Sequence, residues 1–272
     1  MNPLLGAICG DIVGSSYEFH PTKQYHFDMM LDDMEFTDDS ICTVAVAEWL
    51  LLDSNRSIDE LKYAFKRWAF RYPNPKGSYG AGFNRWLKDI YARPYNSYGN
   101  GSAMRVSPVG WACNSLEETL ETARISAVLT HNHVEGIKGA QATAACVFLA
   151  RVGDSKDDIR KFVSSKFGYN LNRSIESIRP TYSFKPSCQE TVPESIIAFL
   201  ESTSYEDAIR KAISLGGDAD TMGSITGAIA AAYYKEIPKL LVDFCMRKLP
   251  KDISQVLSDF ELKFKDRILD ES

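Results

Sequence analysis

The sequence lacks the hallmarks of several protein classes. Its six cysteines stand singly, with no C-x-x-C pair, and most have apolar neighbours. This pattern predicts buried, reduced thiols rather than disulfides or a zinc site. The amino terminus has no basic stretch leading into an apolar segment, and no apolar run is long enough to span a bilayer. We therefore expect no membrane association and a cytoplasmic, reducing location.

The sequence also has no excess of positive charge and almost no strand patterns. The net charge of -5 offers no broad attraction to nucleic acid or anionic membranes, although a local basic pocket for phosphate is compatible with it. We find no internal repeat and no low-complexity segment. With 272 residues, of which 44% are hydrophobic and 25% charged, the composition predicts a single domain over residues 1–272.

Helix signals dominate the sequence. Ser57, Ser115, Ser155 and Ser204 are each followed three residues later by an acidic residue and then by apolar residues at helical spacing. Residues 40–52 are apolar nearly all round, which predicts a helix inside the core. The pattern as a whole predicts an all-α fold.

Two further segments complete the prediction of structure. Gly223 and Gly227 stand four residues apart in an apolar helix, which predicts a surface where helices approach closely. Residues 169–186 show the least pattern, and we expect an exposed excursion there.

Two short acidic segments carry the most chemical information. Residues 36–40 and 216–223 each contain two carboxylates and a threonine before a strongly apolar helix. A single aspartate there is typical of a helix cap. Adjacent carboxylates among apolar residues, however, repel each other unless a cation compensates them. Together the segments offer six oxygen ligands and no sulfur: Thr37, Asp38, Asp39, Asp218, Asp220 and Thr221.

That ligand set suits hard divalent cations. Carboxylate and hydroxyl oxygens favour Mg²⁺ or Mn²⁺ over zinc. Two such ions held side by side are a recurring device for hydrolysis.

Four blocks in order resemble a known family. They are residues 6–18, 36–40, 98–105 and 217–221, with a threonine-histidine block at 130–133 as a fifth match. Through them the sequence resembles the ADP-ribosylglycohydrolases, the family that includes dinitrogenase reductase-activating glycohydrolase, over nearly its whole length.

The resemblance implies an all-helical fold with a cleft for two Mg²⁺ or Mn²⁺ ions, and hydrolysis of the bond that joins ADP-ribose to an acceptor. Carried over by position, the metal ligands are Thr37, Asp38, Asp39, Asp218, Asp220 and Thr221. The catalytic candidates are Glu18, Asp38, Asp39 and Asp220, and which carboxylate takes the proton is left open. Glu18 alone reads as a solvated charge at a helix end; the resemblance implies hydrogen bonding to the sugar, gating or acid–base work.

The glycine-rich third block suggests a site for the diphosphate. Asn100, Gly101 and Ser102 expose backbone donors before a predicted helix, a natural cradle for phosphate, although a tight turn is the alternative. The same block adds Met104 and Arg105 as substrate-binding candidates.

Histidine, tyrosine and aspartate residues near these blocks were also considered for the site. The resemblance implies that His131 hydrogen-bonds phosphate, the alternative being a capping or core histidine; His133 is predicted to be structural. Tyr98, like residues 78–80, suits stacking on ribose or adenine, with loop packing as the alternative. Asp11 is expected to brace the loops from behind the site.

The acceptor is not fixed by the sequence. Arginine on a protein is the default, while serine, another protein acceptor, a modified nucleobase and a small ADP-ribosyl metabolite stay open. Expected partners are thus an ADP-ribosylated protein or a small ADP-ribosyl substrate, with nucleic acid only as a modified substrate.

Two rival functions are compatible with the motifs. One is a binding protein that sequesters an ADP-ribosylating toxin or transferase as an immunity or regulatory partner. The other is a metal-dependent phosphohydrolase that attacks the diphosphate. Intact ligands at all six positions favour an enzyme over a pure binding protein.

Overall fold

The protein is built from α-helices. The computed structural model describes residues 2–268, and within this range the only β pairing is two isolated bridges, Thr37 with Lys76 and Gly99 with Ser187. The helices are α1 (Leu5–Gly14), α2 (Asp38–Leu52), α3 (Ile58–Arg71), α4 (Ala81–Lys88), α5 (Gly101–Met104), α6 (Ser107–Ala112), α7 (Leu116–Val128), α8 (Val134–Arg151), α9 (Lys156–Phe167), α10 (Ile175–Ile178), α11 (Cys188–Leu200), α12 (Tyr205–Ile213), α13 (Ala219–Tyr234), α14 (Lys239–Lys248), α15 (Lys251–Lys263) and α16 (Lys265–Ile268). The predicted all-α fold is confirmed.

Glycines let α1 and α13 touch backbone to backbone at the centre of the fold. A Cβ atom at Gly10 would lie 2.0 Å from the carbonyl oxygen of Gly223, and one at Gly227 would lie 2.2 Å from that of Gly6. Side chains at these positions would force the helices apart. The predicted close approach at Gly223 and Gly227 is confirmed, and it fixes the start of α13, where an acidic segment lies.

Helix α2 runs through the core, as its sequence predicts. Nearly all of residues 39–50 are buried. Thr37 caps the helix, since its hydroxyl accepts a hydrogen bond from the backbone N–H of Asp39 at 3.2 Å. The acidic pair therefore sits on the first turn of a buried helix.

The predicted serine caps are confirmed. The hydroxyls of Ser57, Ser115, Ser155 and Ser204 each accept a hydrogen bond from a backbone N–H in the first turn of the following helix. These caps satisfy donors that a helix start leaves unpaired.

The segment at 169–186 is only in part the exposed excursion that the sequence predicts. It contains α10 and buries Leu171, Ile175 and Ile178 in the core. These three residues follow helical spacing, while most of the residues between them and up to Pro186 are exposed. The segment ends at Pro186, beside the main cavity.

The core is contiguous, and all six cysteines are buried and free, as predicted. No helix within residues 2–268 combines the length and apolar character needed to cross a membrane.

Candidate active site

Four helices begin at one cavity of about 320 Å³. The first turns of α2, α4, α5 and α13 all contribute to its wall. The lining residues are Glu18, Asp38, Asp39, Gly77, Ser78, Tyr79, Gly80, Ala81, Gly82, Phe83, Tyr95, Ser97, Gly99, Asn100, Gly101, Met104, Arg105, His131, Phe184, Pro186, Asp218, Asp220 and Thr221. The fold thus brings together segments that lie up to about two hundred positions apart in sequence, including most of the predicted site residues.

Five carboxylates face this cavity. Oxygen atoms of Glu18, Asp218 and Asp220 lie within 4.8 Å of one another. Burial, followed by the charges of Asp220 and Asp11, raises the pKa of Glu18 to about 8. Burial and the charge of Asp220 likewise hold the pKa of Asp39 well above its usual range. Asp220 therefore couples the two acidic segments.

The same two causes act on Asp38 and Asp218. The pKa values of Asp38 and Asp218 are raised well above normal, first by burial and then by the charge of Asp220. Like charges held this closely are unfavourable unless something compensates them.

Two buried carboxylate oxygens lack partners. Glu18 Oε2 and Asp39 Oδ2 accept no hydrogen bond from any residue in the described range. A buried oxygen without a donor is costly, and a divalent cation would remove that cost. Since every donor here is a hard oxygen, the residues fit Mg²⁺ or Mn²⁺. Glu18 lies in the acidic cluster itself; the resemblance placed it at the site as a catalytic candidate but not among the metal ligands.

Asp11 braces the site from behind, as predicted. It is fully buried, and its carboxylate accepts hydrogen bonds from the backbone N–H of Thr37 at 3.0 Å, from the Thr37 hydroxyl at 2.7 Å, and from the N–H and hydroxyl of Ser40. Burial raises the pKa of Asp11 to about 7, with the charge of Asp220 adding to the shift and these hydrogen bonds opposing it. The first turn of α2 is thereby held in place.

The glycine-rich loop lies beside the acidic cluster. The side-chain amide of Asn100 donates to Asp218 at 2.8 Å and to Thr191 at 3.2 Å. A Cβ atom at Gly101 would lie only 3.2 Å from Nε2 of His131. The loop is therefore tied to α13 on one side and packs on His131 on the other.

A buried hydrogen-bond chain links Arg105 to His131. Arg105 donates to the Thr130 hydroxyl at 2.8 Å, and that hydroxyl lies 2.7 Å from Nδ1 of His131. Burial, followed by the charge of Arg105, holds the pKa of His131 well below normal. His131 thus presents a neutral imidazole at the loop.

Arg105 is a buried cation at the same wall. Its side chain is 1% exposed and stacks 4.4 Å from the centroid of Phe65. It also donates to the carbonyl of Ser126 at 3.2 Å, while its Nε has no partner in the described range. Such a charge favours an anion nearby.

Three predicted residues do not line the cavity. Ser102 donates to the carbonyl of Gly136 at 2.7 Å beneath the loop. Tyr98 is 53% exposed, with its ring 5.4 Å from that of His133. The Thr37 hydroxyl is engaged by Asp11 and Asp39, which leaves one lone pair. Their roles in binding stay predictions.

His133 is structural, as predicted. Its Nδ1 accepts from the backbone N–H of Glu135 at 3.1 Å and caps α8.

The sequence did not predict most of the aromatic residues that line the cavity. Phe83, Tyr95 and Phe184 line the cavity along with Tyr79. They come from separate segments with no shared motif, so only the tertiary fold assembles them. Their faces suit a sugar or a base.

The comparisons with known proteins agree with this geometry. The chain matches the ADP-ribosylglycohydrolase family over residues 2–267. It is 30% identical to ADP-ribosylhydrolase ARH3 of Mus musculus, across 89% of this chain and 86% of that protein. It is 24% identical to ADP-ribosylarginine hydrolase Tri1 of Pseudomonas putida, across 85% of this chain and 69% of that protein.

A solved structure titled "ADP-ribosylglycohydrolase-related protein complex" shares the fold. It has a TM-score of 0.74 and 23% identity, with 98% of this chain and 97% of that chain covered. Taken with the family match over residues 2–267, these likenesses show that the chain belongs to the ADP-ribosylglycohydrolase family of hydrolases.

Proposed function

We propose that this enzyme hydrolyses the glycosidic bond between the distal ribose of ADP-ribose and a modified acceptor, with two Mg²⁺ or Mn²⁺ ions as cofactors. The observation that carries the proposal is the division of one cavity into an acidic end, at the starts of α2 and α13, and a donor-rich end at the glycine loop. A substrate with a diphosphate and a sugar that bears vicinal hydroxyls matches both ends.

The donor-rich end suits the diphosphate. The glycine loop at Asn100 and Gly101, the imidazole of His131 and the charge of Arg105 converge on one wall. Neutral and charged donors that are already fixed in place lose little entropy on binding an anion. The aromatic residues across the cavity would then hold a ribose or the adenine.

The acidic end suits the reacting sugar. Thr37, Asp38 and Asp39 on one side and Asp218, Asp220 and Thr221 on the other would hold the ions. When bound, such ions polarise sugar hydroxyls and lower the pKa of water.

Proton transfer then falls to the carboxylates. Glu18, Asp38, Asp39 and Asp220 are the candidates that exchange a proton with water or the departing acceptor. Glu18 is the one candidate of the four that is not among the six predicted metal ligands. It is therefore the candidate for the general acid.

Arginine on a protein is the first acceptor to test, and the name of the Pseudomonas putida relative supports it. A hydroxyl-linked acceptor such as serine is the second. All carboxylates that line the described cavity belong to the acidic cluster. Once they hold cations, none of them is left to pair with a guanidinium, and a neutral acceptor needs no such partner.

Product identity tests the proposal. The protein is incubated with arginine-linked and serine-linked ADP-ribosyl peptides in Mg²⁺ or Mn²⁺, and the products are separated. Free ADP-ribose supports the glycohydrolase, and the faster peptide identifies the acceptor. AMP with ribose phosphate would show the phosphohydrolase instead. Tight binding of ADP-ribose without any release would favour the immunity or regulatory binding protein.

A further inference from the structure

Basic residues are concentrated in one part of this acidic chain. Residues 61–93 contain eight lysines and arginines and a single acidic residue, although the whole chain has a net charge of -5. They are Lys62, Lys66, Arg67, Arg71, Lys76, Arg85, Lys88 and Arg93, with Asp89 as the acidic exception. An asymmetry of this kind is the electrostatic footprint of a polyanion site.

A second cavity of about 510 Å³ lies between α3 and α4 within this region. We call it the basic groove, and Tyr63, Lys66, Arg67, Ala69, Phe70, Pro73, Tyr79, Asn84, Leu87 and Lys88 line it. On α3, residues 63, 66, 67 and 70 share one face because they follow helical spacing. The opposite face, with Leu61, Phe65 and Trp68, packs in the core.

Charges in the groove are little compensated. Lys66 donates to the backbone carbonyl of Asp89, and Lys62 donates to that of Ala92 at 2.9 Å. Within residues 2–268, neither they nor Lys88 form an ion pair with a carboxylate. Arg67 is paired with Glu48. No carboxylate among the described residues therefore pairs with the ammonium groups of Lys66 and Lys88.

Exposed aromatic rings lie between these cations. Tyr63 is 60% exposed and Phe70 is 88% exposed. The guanidinium of Arg67 lies 5.3 Å from the centroid of Tyr63 and holds that ring in place. One exposed ring is ordinary on a protein surface. Two rings that flank cations on one helix face form a stacking platform.

The basic groove adjoins the active site. Tyr79 lines both cavities. The first turn of α4, at Gly82 and Phe83, faces the active site, whereas Asn84 and Lys88 face the groove. The two cavities therefore share a wall at Tyr79 and α4.

We propose that the basic groove binds a single strand of nucleic acid, so that an ADP-ribosyl group carried by such a strand enters the active site; this second step rests on the proposed function. Lysine charges suit the phosphates of the strand, and aromatic faces suit its bases. An acidic protein segment would use the charges alone, so the rings favour nucleic acid.

Binding of a fluorescently labelled, unmodified 12-nucleotide DNA strand to the full chain, followed by anisotropy at several salt concentrations, tests this inference. We expect Lys66→Glu with Lys88→Glu to weaken binding at least tenfold. Each lost phosphate contact should lower the slope of log affinity against log salt by about 0.7. Tyr63→Ala with Phe70→Ala should weaken binding without changing that slope.

Matched controls separate the alternatives. Lys239→Glu makes the same type of charge change at an exposed site on α14 and should alter affinity less than twofold. Equal weakening by Lys239→Glu would overturn the site in favour of a general charge effect. Displacement of the strand by poly-glutamate as effectively as by unlabelled DNA would overturn it in favour of an acidic protein segment.

The test is independent of catalysis. Asp220→Ala should bind the strand as tightly as the natural chain. A natural chain that releases ADP-ribose but binds no strand would overturn this inference and leave the proposed function intact. Strand binding without hydrolysis of any ADP-ribosyl substrate would contradict the proposed function.

Discussion

Two buried aspartates show how their neighbours decide what a carboxylate does. Asp11 accepts four hydrogen bonds from Thr37 and Ser40, so it is satisfied and acts as structural support. Asp39 lies on the same helix turn as Ser40, but its Oδ2 has no donor among the described residues. The first arrangement stabilises the fold, and the second leaves an oxygen for a ligand.

Asp11→Asn should therefore damage the site indirectly. The amide places an N–H₂ group against donors on Thr37 and Ser40, which should cost about 1–3 kcal/mol. Thermal unfolding should show a Tm several degrees lower, and turnover should fall because α2 begins in the wrong place. Asp32→Asn, an exposed aspartate, is the control and should melt like the natural chain. An unchanged Tm for Asp11→Asn would remove the bracing role.

Glu18 should make the metal-free protein sensitive to pH. Its pKa rises from 4.5 to about 8 on folding. The native state thus keeps a proton that the unfolded chain releases, and the free energy of unfolding falls as pH rises through that window. We expect a lower Tm at about pH 8 than at about pH 6.5 in chelator, and a smaller difference in Glu18→Gln.

Excess Mg²⁺ should raise the Tm most at the higher pH, because protons no longer compete for the carboxylates. Equal Tm values at both pH values in chelator would show that the carboxylates do not repel as described.

At the scale of elements, the contact between α1 and α13 positions the active site. A Cβ atom at Gly223 would lie 2.2 Å from the carbonyl oxygen of Gly10, and neither backbone can move aside without its helix. Asp220 lies on the first turn of α13. The close packing and the acidic cluster are thus joined in one helix.

Gly223→Ala should destabilise the protein by about 3 kcal/mol or more, at the upper end of overpacking. For a chain of this size the Tm falls by about 2–4 °C per kcal/mol. Gly80→Ala is the control, because a Cβ atom there meets nothing within 4 Å. If both variants melt alike, the close contact is not a source of stability.

Lys23 fastens three connecting segments near the site. Its Nζ donates to the backbone carbonyls of Arg179, Tyr182 and Leu215. Burial, followed by the charge of Arg179, lowers the pKa of Lys23. The ammonium group satisfies carbonyls near the ends of α10 and α12, which a helix end leaves unpaired.

Lys23→Met should remove these hydrogen bonds and loosen the segments that they join. The stem of the side chain is kept while the three hydrogen bonds are lost, so the backbone N–H groups of residues 180–186 and 214–218 should exchange hydrogen at least tenfold faster. Lys239→Met, on exposed α14, should leave exchange in those segments unchanged. Unaltered exchange in Lys23→Met would show that the segments hold together without it.

At the scale of the whole molecule, local patterns were predictable and long-range assembly was not. The cap at Ser115 and the acidic segments are read directly from sequence, because each depends on residues a few positions apart. The place of Glu18 beside Asp218 depends on α1 packing against α13. Phe184 reaches the cavity from a segment that Leu171, Ile175 and Ile178 anchor in the core.

The family resemblance predicted some of what local patterns could not. It implied roles at the site for Glu18 and His131, whereas the spacing of residues implied none. It did not supply the basic groove. The excess of lysine and arginine over residues 61–93 is visible in the sequence, but the cavity between α3 and α4 is apparent only in the structure.

The dependence of hydrolysis on divalent cations and on Asp220 tests the central claim most directly. ADP-ribose release is measured for the natural chain in Mg²⁺ and in chelator, and for Asp220→Ala and the exposed control Asp259→Ala in Mg²⁺. We expect chelator and Asp220→Ala each to lower the rate at least about 100-fold, as loss of a main electrostatic group does, while Asp259→Ala keeps it. Hydrolysis at the natural rate in chelator, or in a folded Asp220→Ala protein, would contradict the account.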